Sequence, residues 1–160
     1  MEKEENNKEE PVQADVNAQE EEKDECEILP SDYSQFDFNF KIIIIGNSGV
    51  GKTCLTVRAS SGEYQDKMGP TLGIEYFPFV VKYKEKILKL EMWDTCGQEA
   101  YRSIVKTFFF NTSLAVIVYA VDDKNSFYSI EEWIRQCKQN NSPDTKFFLV
   151  GNKNDVDSEQ

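Results

Sequence analysis

Four consecutive isoleucines at residues 42–45 run directly into the motif G-x-x-x-x-G-K-T, which ends at Thr53. A continuous apolar run of this length is typical of a parallel strand that is buried on both faces. The glycines of the motif allow backbone N–H groups to approach a polyphosphate, because no Cβ blocks the way. A helix-like run follows, and its first turn adds a positive dipole end. The alternative is a glycine-rich turn leaving a strand, but all eight motif positions and both flanking elements favour a phosphate-binding loop.

The side chains of this loop have the chemistry that a nucleoside triphosphate requires. Lys52 can reach the β- and γ-phosphates, and the Thr53 hydroxyl can bind Mg²⁺. We therefore predict that nine consecutive residues bind the phosphates: Gly46, Asn47, Ser48, Gly49, Val50, Gly51, Lys52, Thr53 and Cys54.

The formal charge of −11 is concentrated at the start of the 160-residue chain. Residues 1–39 contain 14 Asp and Glu against 3 Lys, whereas residues 40–160 contain 15 acidic and 15 basic residues. The leading segment has few apolar residues before Ile28, so burial cannot offset its ordering entropy. We predict a disordered acidic tail over residues 1–35 and one folded domain over residues 36–160. The tail either only keeps the protein in solution or docks on a basic partner surface, and its charge argues against nucleic acid and anionic lipid as partners.

The sequence shows neither a targeting segment nor a metal-binding cysteine pattern. Its start, Met-Glu-Lys-Glu-Glu, has no apolar core and does not predict a signal peptide. No apolar run approaches the roughly 18 residues of a membrane span. The cysteines lack C-x-x-C spacing and are scattered at Cys26, Cys54, Cys96 and Cys137. They are expected to be reduced thiols of a cytoplasmic protein.

Strand-like and helix-like runs alternate after the phosphate loop. Residues 75–82 and 87–93 predict an antiparallel hairpin, because a short polar segment joins them. Pro78 cannot donate a ladder hydrogen bond, so the first of these strands is expected at the sheet edge. Residues 114–121 and 147–150 predict two further buried strands with a helix between them. The chain is therefore predicted to be an α/β protein with a doubly wound, mostly parallel sheet and one antiparallel edge strand.

Three loops are expected to converge on one site. Ligands of such sheets bind beyond the carboxyl ends of the strands, and the loops over residues 46–53, 94–98 and 151–155 leave those ends. Asp94 can hold Mg²⁺ directly or through water. Gly97 can bring its N–H to the terminal phosphate.

The sequence Asn-Lys-x-Asp in the last of these loops has chemistry that is specific for guanine. The carboxylate of Asp155 can accept hydrogen bonds from N1–H and the exocyclic amine of guanine, whereas adenine has an acceptor at N1 and lacks that amine. Asn152 and Lys153 complete the motif. Alone, the motif is weak evidence, because the aspartate can be a turn former and the asparagine a cap. Its order after the other two loops favours a guanine nucleotide.

Together these stretches resemble the Ras superfamily of small GTPases and, within it, the Rab family. The resemblance is carried by residues 46–53, 71–76, 93–99, 101–104 and 151–155. It implies a molecular switch that binds GTP or GDP with Mg²⁺ and slowly hydrolyses GTP. Two loops of such a switch reorder when the γ-phosphate is lost.

The resemblance also implies roles for particular residues by matched position. Thr71 would reach Mg²⁺ and the γ-phosphate, Gln98 would orient the attacking water, and Tyr64 would lie against the guanine ring. The implied catalytic residues are Lys52, Thr71 and Gln98. The implied metal ligands are Thr53, Thr71 and Asp94.

Partner recognition is implied by an aromatic triad that effectors of Rab proteins read. The matching residues are Tyr76, Trp93 and Phe108, although each aromatic ring can equally be plain packing. The resemblance implies effector, exchange-factor and activating proteins as partners of these residues and of the switch loops. It further implies a monomer and work at endomembrane surfaces, while this chain contains no lipidation site.

The sequence departs from the family in several respects, two of which bear on the site and on the completeness of the domain. Cys96 replaces a small alanine and places a thiol beside the expected phosphates. The last base-contacting loop, strand and helix of the family, and its prenylated cysteine, have no counterpart before Gln160. We therefore expect an incomplete domain with an unpaired edge at residues 147–150 and exposed apolar side chains at residues 42–45 and 116–118.

Two functions from different classes remain open at this point. The first is a slow GTP hydrolase that acts as a switch in vesicle traffic, which Thr71 and Gln98 favour. The second is a non-catalytic Rab-like interaction module, or a fragment, that binds nucleotide weakly, which the incomplete base pocket favours. The nucleotide content of the purified protein separates the two.

Overall fold

The computed structural model describes residues 26–30, 32–64, 69–98, 102–140 and 143–155. Within these residues, six strands form one mixed sheet in the spatial order β1-β3-β4-β2-β5-β6. The strands are β1 (Cys26–Leu29), β2 (Phe38–Ile45), β3 (Ile74–Tyr83), β4 (Lys86–Thr95), β5 (Leu114–Ala120) and β6 (Lys146–Asn152). The helices are α1 (Lys52–Ser61), α2 (Arg102–Thr107), α3 (Lys124–Tyr128) and α4 (Ile130–Gln139).

The central strand is β2, which contains the four isoleucines. It pairs in parallel with β4 on one side and with β5 on the other, and β5 pairs in parallel with β6. Helices connect the parallel strands, since α1 follows β2, α2 precedes β5, and α3 and α4 precede β6. The predicted α/β class with a doubly wound, mostly parallel sheet is confirmed.

The isoleucines of β2 divide the core between the two faces of the sheet. Ile43 and Ile45 pack on one face with side chains of α2, β5 and α4, among them Val105, Ile117 and Trp133. On the other face, β2 packs with Met92 of β4, Val118 of β5 and Leu55 of α1. The alternation places successive side chains on opposite faces, so one short run supplies both halves of the core.

The expectation that residues 42–45 are exposed is wrong. All four isoleucines are at most 9% exposed, and Val118 is also buried. Side chains from α1 and the neighbouring strands already cover this part of the sheet. The apolar exposure lies instead on β6, where Phe148 is 60% and Leu149 49% exposed. The strand over residues 147–150 does lie at an edge of the sheet, as predicted.

The opposite edge of the sheet differs from the prediction. Residues 26–29, which we assigned to the disordered tail, form β1 and pair antiparallel with β3. The sheet therefore has two antiparallel strands on this side, and β3 is not its outermost strand. Pro78 tolerates this arrangement because β1 ends opposite Val80, so no neighbour on that side requires a hydrogen bond from Pro78. Of the rest of the predicted tail, residues 30 and 32–35 belong to no helix or strand, and residues 1–25 and 31 lie outside the described residues.

A short strand forms at β1 because its residues complement those of β3. Glu27 stands opposite Lys82, which places unlike charges across the ladder. Ile28 stands opposite Val81, and Val80 and Val81 are only 2% and 6% exposed. The described sheet therefore includes residues 26–29, which precede the predicted boundary at residue 36.

We predict that a chain beginning at residue 36 is less stable than one beginning at residue 26. The shorter chain loses the ladder and the cross-strand pairs that β1 makes with β3, which should cost about 1–2 kcal/mol. Thermal unfolding of the two chains measures the difference, which should exceed about 4 °C for a domain of this size. The full chain is the control, and its melting temperature should equal that of the chain that begins at residue 26. Equal melting of all three chains would show that β1 adds nothing to the fold.

Candidate functional site

A cavity of about 310 Å³ opens beyond the carboxyl ends of β2 and β4. Three separate segments of the chain line it: residues 48–54 without Val50, residues 69–71 and residues 95–98. The predicted convergence of the phosphate loop with the loop after β4 is therefore present. Thr71 joins them from the loop that precedes β3.

The ammonium group of Lys52 is buried beneath the phosphate loop. The side chain is 5% exposed, and its Nζ donates hydrogen bonds to the carbonyl oxygens of Gly46 at 2.9 Å and Asn47 at 2.8 Å. Burial lowers the pKa of Lys52 to about 8, against the opposing attraction of Asp94. A cation held this way in a cavity is an electrostatic partner for an anion such as a phosphate.

Backbone geometry at Gly46 explains why the loop can turn so sharply after β2. Its φ of +145° lies in a region that other residues rarely adopt, and a Cβ there would overlap the carbonyl oxygen of Val118 on β5. A side chain at this position would therefore push the loop away from the sheet.

Three side-chain oxygens form a cluster beside Lys52. Thr53 Oγ1 lies 2.7 Å from Thr71 Oγ1 and donates to Asp94 Oδ2 at 2.5 Å. The other carboxylate oxygen, Asp94 Oδ1, is buried and has no hydrogen-bond partner among the residues that the structure describes. Hydroxyl and carboxylate oxygens are the ligands that Mg²⁺ prefers. The cluster therefore fits the predicted magnesium ion, and the unpartnered Oδ1 is the observation that supports this fit.

Burial of Asp94 makes its ionisation costly. The residue is 0% exposed, and desolvation raises its pKa to about 6, although the Thr53 hydroxyl and Lys52 lower it. Near neutral pH, the carboxylate is thus ionised against the preference of its surroundings. A bound cation would relieve this cost.

Gly97 and Gln98 bring the loop after β4 against the phosphate loop. Gly97 is buried so closely that a Cβ would overlap the backbone of Asn47 and Ser48 and the Nζ of Lys52. Gln98 is half-buried and lines the same cavity. Both predicted residues therefore lie beside the phosphate loop.

The predicted base-binding residues lie outside the cavity wall. Tyr64 is 68% exposed, and Asp155 is also exposed. Lys153 is half-buried with a positive φ of 63°. Of the Asn-Lys-x-Asp motif, only Asn152 is tied to the phosphate loop, through a hydrogen bond of 2.8 Å from its Nδ2 to the Val50 carbonyl. The structure thus brings together the phosphate and metal residues, but it does not assemble Tyr64 and Asp155 with them.

Two cysteines lie at the site. Cys54 and Cys96 line the cavity, and Cys96 is 2% exposed. The thiol that replaces alanine is therefore accommodated beside the phosphate loop without opening the core.

The predicted aromatic triad forms one contiguous group. The Tyr76 and Trp93 ring centroids are 4.8 Å apart, and those of Trp93 and Phe108 are 5.4 Å apart. Tyr76 is 42% exposed, while Trp93 and Phe108 are half-buried. Lys41 covers the Trp93 ring at 5.7 Å. The group therefore packs internally and also presents an aromatic edge to solvent.

Sequence reasoning missed one set of contacts at the site. The Asn47 side chain bonds to Ser129 and Trp133 at the junction between α3 and α4. The helical spacing of the segment identified its buried face, but no sequence pattern links an indole to a residue 86 positions earlier.

The fold and the site define a phosphate-loop protein of the small-GTPase class, and comparisons with known proteins agree. The family model described as Ras family matches residues 41–160. The chain therefore belongs to the Ras family.

Named relatives support the resemblance to Rab proteins. The chain is 38% identical over 122 residues to Ras-related protein Rab-11B of Dictyostelium discoideum, covering 76% of this chain and 56% of the relative. It is 35% identical over 126 residues to Ras-related protein RABD2b of Arabidopsis thaliana, covering 79% and 62%. It is 38% identical over 121 residues to Ras-related protein Rab-30 of Homo sapiens, covering 76% and 60%. The chain thus spans about three fifths of the length of these relatives.

No helix in the described part of the chain is long and apolar enough to cross a membrane.

We predict that Asp94→Asn stabilises the nucleotide-free protein near neutral pH. The folded protein holds the Asp94 proton more tightly than the unfolded chain, so stability falls as the pH rises through about 6. The substitution removes this cost and should raise the free energy of unfolding at pH 7.5 by about 2 kcal/mol, since one pKa unit corresponds to about 1.4 kcal/mol and Lys52 loses part of its counter-charge.

Urea denaturation at pH 7.5 and at pH 5 measures this effect. The advantage of the variant should shrink at pH 5, where Asp94 is protonated in the folded protein. Asp122→Asn, at an exposed aspartate, is the control and should leave the free energy of unfolding unchanged at both pH values. An equal advantage at both pH values would contradict the assigned cause.

Proposed function

We propose that this protein is a Rab-type molecular switch that binds GTP and GDP with Mg²⁺ and slowly hydrolyses GTP. The observation that carries the proposal is the cavity lined by Lys52, Thr53 and Thr71, in which the Thr53 hydroxyl is also bonded to the buried carboxylate of Asp94. A cation for phosphate oxygens and hard oxygen ligands for Mg²⁺ are the two requirements of phosphoryl transfer in this class.

Each of these residues has a distinct part in the proposed chemistry. Lys52 holds phosphate oxygens and neutralises charge, since its ammonium lies under the loop. Thr53, Thr71 and Asp94 hold Mg²⁺, which supplies further charge neutralisation on the phosphates when bound. Gln98 orients a water for attack, and Gly97 offers its N–H to the terminal phosphate.

The position of Thr71 supports the proposal of a switch. Thr71 precedes β3 in a loop that belongs to no helix or strand, and its hydroxyl is 2.7 Å from that of Thr53. Loss of the γ-phosphate removes one of the groups that hold Thr71 in place. The loop then moves, and the surface that partners contact changes with it.

Guanine recognition is proposed for Asn152, Lys153 and Asp155. Asn152 already bonds to the phosphate loop through the Val50 carbonyl, so it can connect base recognition with phosphate binding. Tyr64 would move from its exposed position to cover the base. The relatives extend beyond the matched part of this chain, so the whole-protein activity is proposed from the phosphate side of the site alone.

The aromatic triad is proposed as the surface for effector, exchange-factor and activating proteins. Tyr76 presents its ring edge to solvent, while Trp93 anchors it to Phe108. We further propose partners of this kind and a monomeric state, which the family implies, and a cytoplasmic location, which the scattered cysteines suggest.

A second function is favoured by one observation. Tyr64 and Asp155 do not line the cavity, which fits a Rab-like interaction module that binds nucleotide weakly. The nucleotide content of the purified full chain separates the two proposals, because a switch retains about one guanine nucleotide per chain and the module retains little.

Guanine selectivity predicts the behaviour of Asp155→Asn. The carboxylate accepts from the N1–H and the amine of guanine, whereas an amide can donate to the carbonyl that xanthine carries at position 2. The variant should weaken GDP binding at least about tenfold and improve xanthosine diphosphate binding. Competition titrations measure both, with Asp32→Asn as an exposed control. Equal competition by ATP and GTP on the unmodified protein would reject the guanine assignment.

We predict that the intrinsic rate of GTP hydrolysis is slow and that the stimulated rate depends on Gln98. Neither the phosphate loop nor residues 63–73 contain an arginine that could act in cis, so turnover should be on the order of 10⁻³ per second or less. Gln98→Leu should abolish the rate stimulated by an activating protein and leave nucleotide affinity unchanged. Single-turnover assays measure the rate, with Gln139→Leu as the control. Stimulated hydrolysis by the Gln98→Leu protein would remove Gln98 from its role.

A further inference from the structure

The first turn of the phosphate loop is held from the side by a helix junction. Asn47 Nδ2 donates to Ser129 Oγ at 3.0 Å, and Trp133 Nε1 donates to Asn47 Oδ1 at 2.9 Å. Ser129 Oγ in turn donates to the Asn125 carbonyl at 2.8 Å. Both polar groups of the Asn47 side chain are thus satisfied by the end of α3 and the first turn of α4.

The main chain of the same residue touches the groups that bind phosphate. The Asn47 carbonyl accepts a hydrogen bond from Lys52 Nζ, and Gly97 packs against the Asn47 and Ser48 backbone without room for a Cβ. A displacement of Asn47 therefore displaces both Lys52 and Gly97. The contacts of the Asn47 side chain with Ser129 and Trp133 therefore influence the shape of the cavity, although none of these three residues lines it.

The anchor is rigid because it belongs to the core. Trp133 is 2% exposed and packs in a cluster with Ile43, Ile45 and Phe109. Buried indole N–H groups usually find a hydrogen-bond partner, and Trp133 finds it in the loop. The other end of the loop is tied separately, through Asn152 and the Val50 carbonyl. The loop is therefore held by side chains at both ends. Asn152 belongs to the Asn-Lys-x-Asp motif that the sequence identified, whereas Ser129 and Trp133 belong to no such motif.

We propose that Trp133 and Ser129 are positioning residues that hold the phosphate loop in its nucleotide-binding shape through the side chain of Asn47, and so slow the dissociation of a guanine nucleotide. This inference deepens the proposed function, and its nucleotide readout rests on it. The loop geometry itself is independent of what the cavity binds.

The experiment compares Trp133→Phe with Phe109→Leu in the full chain. Trp133→Phe removes the N–H donor and retains an aromatic ring, whereas Phe109→Leu removes a similar amount of packing from the same cluster without touching a loop contact. Ser129→Ala is a second test, because it removes the acceptor of Asn47 Nδ2 with little loss of packing. Asn47→Ala, alone and combined with Trp133→Phe, shows whether the effect passes through Asn47.

Two measurements are made on each protein. The first is hydrogen–deuterium exchange of the backbone amides at residues 48–51 without nucleotide, which should be about fivefold faster in Trp133→Phe. The second is the dissociation rate of fluorescent N-methylanthraniloyl-GDP in the presence of Mg²⁺, which should rise about five- to tenfold. Ser129→Ala should increase both rates by a smaller factor, and Phe109→Leu should leave both unchanged. On the Asn47→Ala background, Trp133→Phe should add nothing.

Exchange that is unchanged in both Trp133→Phe and Ser129→Ala would overturn the inference, as would equal acceleration by Phe109→Leu. An additive effect of Trp133→Phe on the Asn47→Ala background would also overturn it, because the tryptophan would then act by another route. If the unmodified chain binds no labelled GDP while the exchange pattern holds, the positioning role stands and the proposed function fails.

Discussion

The site depends on the buried ammonium of Lys52, which closes the phosphate loop on itself. Its hydrogen bonds to the carbonyls of Gly46 and Asn47 join the first residue of α1 to the end of β2. The contact thus satisfies backbone acceptors and fixes the entry angle of α1, and it places a cation where the two parallel strands β2 and β4 end.

The same contact leaves the site electrostatically unbalanced. Burial holds the pKa of Lys52 well below its usual value and that of Asp94 well above its own. Neither group is ideally placed for the protein alone, since Asp94 Oδ1 has no hydrogen-bond partner in the described part of the chain. Perturbed titratable groups of this kind concentrate at functional sites. A ligand that combines phosphate oxygens with a divalent cation would satisfy both groups together, which is why the geometry favours a magnesium–nucleotide complex over a simple anion.

The sequence predicted the local elements and the tertiary proximity that parallel strands impose, and it missed pairings between distant residues. The run of isoleucines and the motif after it identify β2, the phosphate loop and α1, because strand, glycines and helix are continuous in the chain. The placement of Asp94 beside the loop follows from parallel strands that end at one edge. By contrast, the pairing of β1 with β3 and the hydrogen bond between Asn47 and Trp133 join distant residues. Periodicity carries no information about such partners, and the acidic composition before Cys26 concealed a strand of four residues.

The pairing of β1 also constrains the order in which the chain can fold. Leu29 and Val80 are 51 positions apart, and the strands β2 and β3 must be synthesised before their ladder can form. On the ribosome, β1 is therefore synthesised before β3, and it is unpaired until β3 has been made. Its brevity and the proline that follows it at Pro30 limit what else it can pair with during that time. Closing a loop of this length carries an entropic cost that the ladder must offset. The β1–β3 ladder therefore cannot be complete until Tyr83, the partner of Cys26, has been made.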